Sequence, residues 1–153
     1  MSFCNCLELT QNIAERCEAL GTYKKLTVKM FSNEDVVLFK AITDRDRDTS
    51  DIAEVIKSSK IDWEVILKEC ALQSGDRHWY GALLNKFHDL KENYGIDAPI
   101  ASRLQELNDL RTLWDKYKEL EKEGETRDAI FKILKNKYGA TERDLKQLKH
   151  NLA

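Results

Sequence analysis

Proline occurs once in this chain of 153 residues and glycine six times. With so few breakers and so many Leu, Lys and Glu, helix is favoured over sheet and a long disordered segment is excluded. Nowhere do eighteen apolar residues follow one another, and the start, MSFCNCLELT, has neither a basic flank nor an apolar run of signal length. The sequence therefore predicts no membrane span and no secretion signal, and we expect a soluble, cytoplasmic protein. Charge of one sign is missing too. Charged residues make up 34% of the chain yet cancel to a net charge of -2, so no global field draws nucleic acid or anionic membrane, and any such binding needs a local patch.

Four cysteines without a signal sequence read as reduced thiols rather than as a disulfide staple. The pair Cys4 and Cys6 is a weak start to a zinc site, because only Cys17 lies nearby while His78, His88 and His150 are scattered. We expect buried thiols, no metal and no cofactor. The length suits one medium domain, or one small domain with a short helical appendage.

What is present is helical periodicity with clear punctuation. Thr10 caps a predicted helix whose apolar face runs Ile13, Cys17, Leu20 and which ends at Gly21. KLTVKMF, with Leu26, Val28 and Met30 alternating with Thr27, Lys29 and Phe31, is the one persuasive strand. Ser32 and Asp35 form a capping box that opens a helix apolar on most sides through Val36, Val37, Leu38, Phe39, Ala41 and Ile42. DIAEVIKSS continues in helix, and Asp62 caps WEVILKECALQ with Ile61 in the staple position. Trp79 to Tyr94 places Leu83, Leu84, Phe87 and Leu90 on a broad stripe that stops at Gly95; His88, beside it, reads as an ordinary histidine.

From Arg103 onward the pattern becomes three charge-laced helices separated by Gly124 and Gly139, with Thr126 as one cap and Thr141 with Asp144 as a second capping box. The apolar stripe of the last helix runs Leu145, Leu148, Leu152. The expected fold is mainly α with an α+β remnant: a helical bundle with one or two short strands over residues 1–102, plus a C-terminal three-helix unit over residues 103–153.

The densest charge lies in TDRDRDTSD, four carboxylates and two guanidiniums between Thr43 and Asp51. As a calcium loop it fails, since Thr49 stands where the turn needs glycine and Val55 where a bidentate glutamate is needed. As a magnesium-binding D-x-D pair it lacks the rigid strand that would hold Asp44, Asp46 and Asp48, and Arg45 and Arg47 offset its charge. The remaining reading is structural: Asp48, Thr49 or Ser50 caps the next helix, Asp51 favours its positive end, and Lys40 reaches across for a carboxylate as it leaves water.

On LTVKMFSNEDVVLFKAITDRDRDTSDI, IDWEVILKEC and ENYGIDAPI, residues 26–99 resemble the C-terminal part of archaeal nucleotidyltransferase-like proteins, relatives of the minimal and toxin-type nucleotidyltransferases. The shared pattern is a strand, S-x-E-D leading into a helix with a lysine, then R-x-x-D-x-x-D-I, which places Lys40, Arg45, Asp48 and Asp51 at motif positions. The resemblance implies that catalysis belongs to an earlier G-S or G-G turn and a strand with paired acidic residues that bind magnesium. This sequence has no G-S or G-G dipeptide, and only about twenty-five residues precede the strand, so the palm is expected to be missing and no catalytic residue is assigned.

The tail TRDAIFKILKNKYGATERDLKQLKHN reads as helix-turn-helix-like, with Gly139 in the turn and Lys135 where a small residue is expected. Arg143, Lys146, Lys149 and His150 give its last helix a basic side, the candidate nucleic-acid contact. The strand Leu26, Thr27, Val28, Lys29, Met30, Phe31 has no confident mate, Phe3 to Leu7 being the only other candidate. It is expected to pair in trans, with its own copy or with another protein, while Leu26, Val28 and Met30 pack on the helix that starts after Ser32. The expectation is a non-catalytic nucleotidyltransferase-like protein that acts by binding protein, as a homodimer or with a partner chain; the basic side of the last helix is read first as a solvated structural face and second as a DNA contact. The alternatives are the C-terminal half of a split nucleotidyltransferase and an antitoxin-like interaction module.

Overall fold

The computed structural model describes residues 2–3, 7–43, 45, 47–75 and 78–151. The fold is mainly α with a small β part, and it divides into two compact units, Met1–Leu104 and Gln105–Ala153.

In the first unit, β1 (Ser2–Phe3) and β2 (Leu7–Glu8) form a minimal antiparallel ladder with Phe3 opposite Leu7. The stretch considered as a mate for KLTVKMF thus pairs with itself. Helix α1 (Gln11–Arg16) starts where expected, Thr10 Oγ1 accepting the Ile13 N–H at 3.2 Å. It stops short, however: Cys17 is already extended, and Leu20 and Gly21 lie in a strand. Only Ile13 of this helix is buried, so no apolar face carries it onward, and the backbone of residues 18–23 is paired instead with the next segment.

That pairing is a hairpin of β3 (Glu18–Tyr23) and β4 (Leu26–Met30), in register Tyr23 to Leu26, Thr22 to Thr27, Gly21 to Val28 and Glu18 to Met30. A two-residue turn, Lys24 and Lys25, joins the strands, with Lys24 in the left-handed region at φ 55° where Gly or Asn is usual. The expectation that this strand lacks a mate in its own chain is therefore corrected. So is the expectation that its apolar residues pack on the following helix: Leu26, Val28 and Met30 remain 64%, 48% and 50% exposed. Phe31 makes that connection, its ring 5.2 Å from the ring of Phe39.

Helix α2 (Asn33–Ile42) opens with the expected cap, Ser32 Oγ accepting the Asp35 N–H. It is the hub of the unit, with Val37, Leu38, Ala41 and Ile42 buried against α3 (Asp48–Ser58), α4 (Trp63–Ser74) and α5 (Trp79–Tyr94). These helices supply Ile52, Ile66, Leu67, Cys70, Leu83, Phe87 and Leu90 to the same core, each fully buried aliphatic contributing roughly 1.5–3 kcal/mol. Asp62 caps α4 through the Glu64 N–H. Gly95, at φ 66°, ends α5 with its N–H on the carbonyls of Leu90 and Lys91, the left-handed closure that favours glycine.

The long helix α6 (Ala101–Lys122) carries the division between the units. The second unit adds α7 (Arg127–Tyr138) and α8 (Glu142–Asn151) around a core of Leu113, Tyr117, Ile130, Phe131, Leu134, Ala140, Leu145 and Leu148. Thr126 caps α7 through the Ala129 N–H. Thr141 and Asp144 close the box at the start of α8, with the Thr141 N–H on Asp144 Oδ2 at 2.9 Å and the Asp144 N–H on Thr141 Oγ1 at 3.2 Å. Leu152 lies outside the described residues.

Candidate functional site

Lys40 occupies the last turn of α2 and extends over the start of α3, where Nζ donates to Asp51 Oδ2 at 2.7 Å and Asp48 Oδ1 at 3.4 Å. Asp48 is only 4% exposed. Its other oxygen accepts from Thr43 Oγ1 at 2.7 Å and from the Arg45 N–H at 3.2 Å. Lys40, Asp48 and Asp51 are thus brought together, and Arg45 joins them through its backbone. Asp44 and Asp46 lie outside the described residues.

The direction in which Asp48 faces differs from expectation. The residue before α3 is Arg47, which makes no side-chain cap, and neither Asp48, Thr49 nor Ser50 caps the helix. Asp48 is instead the first helical residue and turns back on the preceding loop, because the Thr43 hydroxyl, the Arg45 N–H and the Lys40 ammonium offer it three donors there. Ser50 Oγ donates to the Arg47 carbonyl, and Thr49 Oγ1 accepts from the buried Lys86 at 3.2 Å. Burial by itself would push the Asp48 carboxyl up, but the bonds from Thr43, Arg45 and Lys40 outweigh it and hold the group below its ordinary range. Lys40 is held above its ordinary value by its hydrogen bond to Asp51, against a smaller effect of burial and with the help of Asp48.

A second network escaped the sequence reading. Arg16, at the end of α1, donates to Asp35 through Nε at 3.0 Å and Nη2 at 2.5 Å, and through Nη2 to Glu69 of α4 at 3.0 Å. Both carboxylates are buried, Asp35 at 1% and Glu69 at 3% exposure. Ser32 Oγ completes Asp35 at 2.8 Å; Thr10 Oγ1 and Gln73 Nε2, each at 2.8 Å, complete Glu69. Burial pushes the Glu69 carboxyl up, but Gln73, Arg16 and Thr10 together bring it below its usual range. The hydrogen bond to Asp35 raises the Arg16 pKa, with Glu69 adding to it against the opposing effect of burial. The available signal was Glu69 itself, an acid among Ile66, Leu67 and Cys70 on the buried face of a helix.

Neither network fits a magnesium ion. Both oxygens of the buried carboxylates Asp48, Asp35 and Glu69 already accept from ammonium, guanidinium, hydroxyl, amide or backbone donors, and among the described residues no cluster of three or more His, Cys, Asp or Glu is arranged around a common point. Cys4 and Cys6 lie outside the described residues. Cys70 is buried, its thiol pushed up to about 11 by that burial against a hydrogen bond with Ser74, so it is a poor ligand. An open groove of about 400 Å³ over Glu34, Lys60, Ile61, Asp62, Trp63 and Glu64 is similarly occupied: Glu34 accepts the Asp62 N–H and Glu64 pairs with Arg103.

In α8, Arg143, Lys146, Lys149 and His150 are all exposed. Arg143 approaches Glu106 at 3.5 Å, and Lys149 sits 4.9 Å from the centre of the Phe131 ring. Glu142 and Asp144 share the helix's first turn. His88 is at the surface beside Glu92 at 3.1 Å. No helix among the described residues is long and apolar enough to cross a membrane.

Residues 2–95 match the model of a family described as nucleotidyltransferase of unknown function (DUF6036). No curated protein and no solved structure matches the chain.

Proposed function

We propose, for a chain that belongs to this nucleotidyltransferase family of unknown function, that it is a non-catalytic member acting by protein binding, with its charged motif serving as a structural clasp. The observation that carries the reading is Asp48, buried and with both oxygens engaged by Lys40, Thr43 and Arg45. A carboxylate that must hold a metal or take a proton from substrate needs a free oxygen and an open approach. Here the same groups fasten the end of α2 to the start of α3. The sequence also lacks the G-S or G-G turn that the family resemblance associates with catalysis. Completion by a second chain that carries a palm is the alternative within this reading.

The test is calorimetric titration of the full chain with magnesium or manganese together with nucleoside triphosphates. No heat beyond dilution is expected. Micromolar binding that disappears in Asp48→Asn would overturn the clasp. A second reading, DNA contact through α8, is supported by the exposure of Arg143, Lys146, Lys149 and His150. Reversing the first three to Glu should weaken duplex binding and lower its log-log salt slope by about 0.9 per lost phosphate contact; absence of duplex binding by the parent chain at low salt removes this reading.

A further inference from the structure

The β3–β4 hairpin has two chemically different faces. Pairing across an antiparallel ladder puts opposed residues on one side, so Thr22 and Thr27, whose hydroxyls are 3.2 Å apart, share a polar face with Ala19 and Lys29. The other face carries Tyr23 with Leu26, Gly21 with Val28, and Glu18 with Met30. An irregularity between Ala19 and Gly21 inserts Leu20 into β3 as an extra residue. All five apolar side chains are exposed, from 48% at Val28 to 71% at Tyr23. Isolated two-stranded ribbons are marginal in water, and an apolar cluster of this kind marks an interaction surface.

We infer that a second copy of the chain covers this face, hairpin on hairpin about a two-fold axis near Val28. The charges at the ends of the face select that occupant. Lys24 stands at the tip, its ammonium 5.5 Å from the centre of the Tyr23 ring, and Glu18 stands at the base, about 16 Å away along the strand. A two-fold axis that lies in the contact plane and runs across the strands sets tip against base, so each Lys24 faces the Glu18 of the other copy with the apolar side chains closed between them, whereas an axis along the strands would set Lys24 on Lys24. A uniformly acidic partner would meet Glu18, and a uniformly basic one Lys24. A two-stranded ribbon offers a small contact, at or below the ~1,200–2,000 Å² typical of stable interfaces, so a reversible dimer is expected rather than an obligate one. This deepens the protein-binding reading above and rests on it, but the titration with metal and nucleotide is independent of its outcome.

Sedimentation of the full chain at low salt, from micromolar to several hundred micromolar, tests the inference, with circular dichroism confirming that each variant is folded. A reversible dimer is expected. Val28→Glu should abolish it, Glu18→Lys and Lys24→Glu should each weaken it about tenfold, and the double exchange Glu18→Lys with Lys24→Glu should restore it to within about threefold. A monomer throughout the range, a dimer indifferent to Val28→Glu, or a double exchange as weak as either single one would each overturn the proposal.

Discussion

Two charge clusters hold the first unit together, and they differ in depth and in how far apart along the chain their members lie. Lys40, Asp48 and Asp51 fall within one helix–loop–helix, and one of their two carboxylates, Asp51, keeps half of its side chain in water. Arg16, Asp35 and Glu69 come from three helices, with sequence separations of 19 and 53 residues, and both carboxylates are almost wholly removed from solvent. The first cluster organises a local turn. The second fastens α1 to α2 and α4, so it governs whether the amino-terminal elements stay in place. The cluster that resembles a family motif is therefore expected to be the less costly one to damage.

The sharpest way to break that comparison is Arg16→Met. It leaves two buried carboxylates facing one another without their cation, which should cost roughly 3–5 kcal/mol in urea unfolding. A loss no larger than that of Lys40→Met would reverse the ranking. Next is Asp48→Ala, which removes the acceptor of the Arg45 N–H, leaves the Thr43 hydroxyl only the longer bond to the Lys40 carbonyl, and should cost about 2 kcal/mol. Lys40→Met should be milder, about 1 kcal/mol or less, because Asp48 retains its other donors and the ammonium is partly hydrated.

Acid should sharpen the comparison further. Glu69 and Asp48 both have folded-state pKa values below their ordinary 4.5 and 3.8. Their contributions are complete above those ordinary values and are lost as pH falls through the lower, folded ones. Lys40 is displaced in the other direction: its contribution is complete below its ordinary 10.5 and fades as pH rises through the folded value. Stability should therefore be flat between about pH 5 and 10 with respect to these groups and fall on the acid side. Glu69→Gln should flatten the acid limb; an unchanged limb would show that Glu69 titrates alike in folded and unfolded chains. The smallest effect belongs to the hairpin, where Val28→Thr should alter the stability of the isolated protomer by no more than about 0.5 kcal/mol, since the side chain is already half in water.

The same contrast explains what the sequence disclosed. Caps at Ser32, Asp62, Thr126 and Thr141, and the glycine ends at Gly95 and Gly139, obey rules that span four or five residues, and each appears in the structure. Lys40 was legible because a lysine on an apolar helix needs a partner, and four carboxylates follow it between Thr43 and Asp51. Asp48 was read as a cap because its position allowed it; the donors that turned it back lie in the loop, where spacing carries little information. The hairpin was hidden by its turn, since Tyr-Lys-Lys-Leu has no Gly or Asn to mark a reversal, and a helix cap at Thr10 made the helix seem longer than it is. The Arg16 network could not be read from spacing at all, because only the packing of α1 and α4 beside α2 brings its members within reach.

A double-mutant cycle on Lys40 and Asp48, with Lys40→Met, Asp48→Asn and the pair followed by urea unfolding, tests the clasp most directly. The account predicts a coupling of about 1 kcal/mol, with both single variants less stable than the parent chain. A coupling below about 0.3 kcal/mol, with all variants as stable as the parent, would contradict it.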